Sequence, residues 1–100
     1  MIPIEKVRDL ISRHQNLEKE LSSGSIDKKN FAEKSKEYSD LNEIINEARE
    51  YSIFNEEKKE LEKIILDKTS DKEMQVLAEN EMKELINKNN YNEKKIKLFL

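Results

Sequence analysis

The chain has 100 residues, 41% charged and 35% hydrophobic, with 19 basic and 22 acidic side chains and a formal net charge of -3. So few apolar residues on so short a chain build one thin core and leave no depth for an enclosed catalytic pocket. The balanced charge lacks the basic excess that phosphate neutralisation demands of a general nucleic-acid binder, and the absence of cysteine removes disulfides, thiolate metal sites and cysteine nucleophiles.

The first helix is predicted over about 3–21. Pro3 fits its first turn, where the missing amide would have been an orphan anyway. Ile4, Val7, Leu10, Ile11, His14, Leu17 and Leu21 recur at spacings of three, one or four, which places them on one stripe. The helix stops at Ser22-Ser23-Gly24-Ser25, where the chain's one glycine suits a left-handed turn.

A second helix is expected over 27–66, a stretch without glycine or proline and rich in Glu, Lys, Leu and Ala. Phe31, Tyr38, Leu41, Ile44, Ala48, Tyr51, Lys58, Leu61 and Ile65 trace a near-heptad seam along it. At about 1.5 Å per residue, forty residues reach roughly 60 Å, too long for a compact globule of this size. A helix of that length needs a partner along its stripe, because packing supplies most helical stability.

The partner is a third helix over about 70–98. Ser70 and Glu73 match the S-x-x-E capping box, and Asp71 adds negative charge at the helix start. Met74, Leu77, Ala78, Met82 and Leu85 supply its stripe, continued by Asn89 and Ile96. Asn87 to Asn92 is rich in a mediocre helix former, so a weakened segment is expected there. The predicted fold is all-α: a long antiparallel, coiled-coil-like hairpin with the shorter N-terminal helix packed on it as a three-helix bundle, one domain over 1–100.

No constellation in this chain supports catalysis. His14 lies on an apolar stripe with only Glu18 as a nearby carboxylate, which reads as core-edge packing rather than a metal site. Glu56 and Glu57 point in different directions on a helix and read as solvated. Tyr38 and Tyr51 lie near the seam and read as packing residues with hydroxyls reaching water, not base-stacking platforms. Lys94, Lys95 and Lys97 read as a solvated face. One glycine cannot build a phosphate-cradling loop. The reading is therefore a non-enzyme with no catalytic, cofactor-binding or metal residues. Apolar runs no longer than Ile64 to Leu66 cannot cross a bilayer, and no signal peptide is visible, so a cytoplasmic location is expected.

The phrases "SKEYSDLNEII" (35–45), "ELEKIILD" (60–67), "DKEMQVLAENEMKEL" (71–85) and "IKLFL" (96–100) resemble the N-terminal helical domain of the bacterial peptide chain release factor 1 family. "KVRDLISRHQNLEKELSSG" (6–24) is similar to that family's first helix and turn, so the likeness spans essentially the whole chain. It implies translation termination. In the family, stop-codon reading and the Gly-Gly-Gln loop that promotes hydrolysis belong to later domains, so the chain is expected to be a piece of a longer factor and inactive alone. The resemblance also implies docking to the ribosome at the large-subunit stalk base, to the GTPase that recycles release factors and to a glutamine methyltransferase. It transfers no contact residues; the bends Ser22 to Ile26 and Asp67 to Asp71 are the exposed candidates. The residues by themselves leave open an independent coiled-coil interaction or chaperone-like protein, or a small helical nucleic-acid binder.

Overall fold

Four helices and no strand make up the computed structural model, which describes residues 1–100: α1 (Ile4–Ser22), α2 (Lys28–Asn42), α3 (Ile45–Leu66) and α4 (Lys72–Phe99). α1 buries Val7, His14 and Leu17 from its predicted stripe. It ends where Gly24 takes φ +72°, the conformation that a side chain would penalise. Asp27 then opens α2, its carboxylate accepting from the Asn30 amide at 2.9 Å.

The single helix expected over 27–66 is instead two, broken at Glu43 and Ile44. At the break the Glu43 amide donates to the Asp40 carbonyl (3.2 Å) and the Ile44 amide to Leu41 (3.0 Å), a tightened turn after which Ala48 resumes regular bonding to Ile44. Packing causes the break, without help from glycine or proline. Leu41, Ile44, Ile45 and Ala48 are all buried, although adjacent residues such as Ile44 and Ile45 point about 100° apart on a straight helix. The bend swings α2 along α1, where His14 Nε2 meets Asn42 Oδ1 at 2.6 Å and the His14 ring stacks on Tyr38 at 4.7 Å. The Asn42 carbonyl oxygen can only accept, so His14 Nε2 donates. Arg13 clasps Glu37 with two parallel bonds of 2.7 and 2.8 Å, and Lys34 pairs with Glu20. Tertiary contact thus overrides uniform helix propensity.

The antiparallel hairpin is α3 with α4. Asn92 donates to Glu50 (2.9 Å), Lys95 to Glu47 (2.7 Å), and Lys88 pairs with Glu50 at 3.1 Å. These contacts hold α4 unbroken through Asn87 to Asn92, where weakening was expected: Asn92 is buried with its amide satisfied, which offsets its modest propensity. The core lies at one end, the base, where Ile2, Val7, Ile44, Ala48 and Ile96 meet, with Leu10, Ile11 and Tyr51 around them. Residues 1–3 form a strap across this base. The Ile2 amide donates to the Tyr51 hydroxyl (3.1 Å), which donates back to the Ile2 carbonyl (3.3 Å), and the Met1 amine pairs with Glu93 at 2.8 Å. Beyond the base, α3 and α4 continue alone as a narrow arm, giving a molecule of 60 × 26 × 19 Å.

The arm turns through Asp67 to Asp71. The Asp67 carboxylate accepts from the Thr69 amide (2.9 Å) and hydroxyl (2.6 Å), while the Gln75 side chain donates to the Asp67 carbonyl (3.0 Å). The cap of α4 is Asp71, accepting from the Met74 amide at 2.8 Å, and not Ser70 as the capping-box pattern suggested. Ser70 is used in the turn itself, its amide bonded to the Asp67 carbonyl, which shifts the helix start by one residue. Asp71→Ala should therefore cost about 1 kcal/mol and Ser70→Ala less than half of that in chemical denaturation, the reverse of the order that a Ser70 cap would give.

Candidate docking surface at the arm tip

Of the residues weighed for chemistry, only His14 and Tyr38 come together, and they do so as stacked packing partners. His14 is buried at the α1–α2 joint, with Nδ1 lacking a partner. Tyr38 stacks on that histidine, and the Tyr51 hydroxyl is spent on the Ile2 backbone. Glu56 and Glu57 are exposed on α3. Lys95 and Lys97 are held by Glu47 and Glu93, while Lys94 is exposed. No group of three His, Asp or Glu side chains could hold a metal ion, and no helix is long and apolar enough to cross a membrane.

The charged groups instead clamp the base. Hydrogen bonds hold three carboxyls below their ordinary range: from Lys95 on Glu47, from Arg13 on Glu37, and from the Met1 amine and Lys97 on Glu93. Each therefore binds a proton less readily folded than unfolded. Their stabilisation is fully present above the unfolded carboxyl value of about 4.3 and is lost as pH falls through the lower folded values. The partners Lys95, Lys97 and Arg13 are raised by the same bonds, so their share is lost only in strong alkali. The melting midpoint should be flat from pH 8 to about 5.5 and drop below about pH 4.5, less steeply in Glu47→Gln.

What remains for function is surface. The chain exposes 7523 Å², whereas a compact monomer of its mass would expose about 6,000 Å². The difference comes from the arm, where two helices without a third can cover only a narrow strip. That strip is closed by the small Ala78, buried on α4. Met74 and Leu77, assigned by periodicity to the seam, are exposed; Leu77 shows 61% of its surface, neighbouring Val76 is nearly half exposed, and Leu66 at the end of α3 shows 77%. Phe31, also assigned to the seam, is half exposed on α2. Leu66 thus stands exposed on the last turn of α3, and Met74, Val76 and Leu77 on the first turns of α4, with Lys68, Lys72 and Glu73 among them in the chain. Val76, Leu77 and Asn80 line a shallow groove with Lys72 and Glu73. Exposed apolar side chains among charged ones, flanking a turn fixed by Asp67 and Asp71, have the composition of a protein-docking surface.

Comparison with known proteins gives the family. The PCRF domain profile matches residues 10–100. The chain is 60% identical over 100 residues to peptide chain release factor 1 of Pelagibacter ubique (strain HTCC1062), an alignment that covers 100% of this chain and 28% of that protein. No solved structure matches. A match over nearly the whole length, on an all-α hairpin, shows that the chain belongs to the PCRF domain family.

Proposed function

We propose that this chain is the N-terminal arm of a class I peptide chain release factor and serves translation termination by docking, without catalysing a reaction itself. The 60% identity to a release factor 1, in an alignment that spans the whole chain, carries this reading. The chain spans 28% of that relative, and in this reading stop-codon recognition and peptide release belong to the remainder of a longer, cytoplasmic factor. The base, built from buried apolar side chains and ion pairs, holds the arm rigid. The tip around Leu66 and Leu77 offers the apolar contact by which the arm meets the ribosome at the large-subunit stalk base. The recycling GTPase and a glutamine methyltransferase are further partners that the family reading implies.

The test uses the longer factor carrying Leu66→Ser and Leu77→Ser. Both side chains are largely exposed, so the fold should lose little. Ribosome binding is expected to weaken by tenfold or more, while peptide release at saturating factor stays unchanged. Unaltered binding would remove the tip from the docking surface, and absence of any ribosome association by the longer factor would overturn the assignment itself.

A further inference from the structure

A second apolar patch sits at the opposite end of the molecule from the tip. α4 finishes in Leu98, Phe99 and Leu100, which are 88%, 37% and 59% exposed although Ile96, one turn earlier, is fully buried in the core. Glu43, Ile44, Lys95, Leu98 and Phe99 line a shallow groove there. The groove lies against the α2–α3 break, and Ile44, a member of the core cluster, forms part of its wall. The closed core of the base is thus continued outward at its edge, from buried Ile44 and Ile96 to exposed Leu98 and Phe99.

We propose that this groove is the seat for the stretch of polypeptide that follows Leu100 in the longer protein, an inference that rests on the chain being the arm of such a factor. Three features decide for a tethered segment over a free partner. The 60%-identical relative is more than three times as long as this chain, which supplies a covering segment. Three side chains and one groove fall well short of the roughly 800 Å² per partner that a stable association of separate molecules buries. A segment leaving directly from Leu100 is held at an effective concentration in the millimolar range, so a contact too weak for a free partner still stays closed. The charges narrow its chemistry. Lys95 is already engaged by Glu47, while Glu43 makes no ion pair, so the seated segment brings apolar side chains with a basic neighbour facing Glu43. The seat thereby ties the break between α2 and α3 to the rest of the factor.

The test is made in the longer factor, with hydrogen exchange followed at peptides covering 41–50 and 93–100 and at the residues after 100. Leu98→Ser with Phe99→Ser should speed exchange at all three by at least tenfold, whereas Leu77→Ser at the distant tip should leave them unchanged. A benzophenone side chain at exposed position 43, on the other wall of the groove and far from Leu100 in the chain, should crosslink to residues beyond 100 of the same chain. Unchanged exchange, or crosslinks only to a second copy or to another protein, would overturn the seat. A gene that stops at codon 100 would instead overturn the release-factor reading on which the seat depends, so the two failures are distinguishable.

Discussion

Ile96→Ala is expected to destabilise the domain by about 2 to 5 kcal/mol, because the side chain is fully buried and the residual cavity cannot collapse between elements that converge from four directions. At about 4–8 °C per kcal/mol for a domain of this size, the melting midpoint should fall by roughly 10 °C or more. The effect is large because the fold has so little to spare: only nine apolar residues are buried, five of them in this one cluster. Leu66→Ala at the tip, by contrast, should stay within about 0.5 kcal/mol. Thermal melts of the two variants side by side check both statements, and equal losses would mean that the tip contributes as much as the base.

Asn92→Asp should be nearly as damaging, and its damage should depend on pH. Asn92 is 3% exposed and its amide donates to a Glu50 oxygen at 2.9 Å. The substitution replaces that donor by a carboxylate facing a carboxylate, with Lys88 at 3.1 Å as the only nearby cation on Glu50. Burial and the like charge both favour the neutral form of the new carboxyl, raising its folded value above the unfolded one. The penalty, about 3 kcal/mol, is therefore present at neutral pH and shrinks as pH falls through the raised value. Melts at pH 7.5 and pH 5 should show the variant recovering toward the parent, opposite in sign to the acid loss of the parent's own ion pairs. Asn92→Leu, which removes the donor and leaves Lys88 to serve Glu50, should cost much less.

Local signals in the sequence located most of the architecture. The stripe from Ile4 to Leu21, the glycine turn at Gly24, the start at Asp27 and the return after Leu66 are short-range features, and each appears where the periodicity and capping chemistry place it. The break at Glu43 and Ile44 was illegible because its cause lies some 30 positions away, in His14 and the α1 face that α2 leans on; nothing between Asp27 and Leu66 disfavours a straight helix. The Asn87–Asn92 stretch misled for the same reason, since the Glu50 partner of Asn92 is on another helix. At the arm's end the S-x-x-E pattern pointed to Ser70, and only the turn around Asp67, which takes up Ser70, leaves the cap to Asp71. The docking surface was half legible. The bend itself stood out as an exposed candidate, but Met74 and Leu77 read as seam, because periodicity shows that a helix has an apolar face and not whether anything is there to cover it.

α4 runs without interruption from the base to the tip, and the Asp67 turn leaves no slack where it meets α3. Twenty-eight residues make about 42 Å of stiff lever, so a rotation of about 10° where α3 and the strap grip it sweeps the far end through about 7 Å. A contact made at Leu77 can thus report, magnified, a slight shift of whatever presses on Ile44 and Phe99.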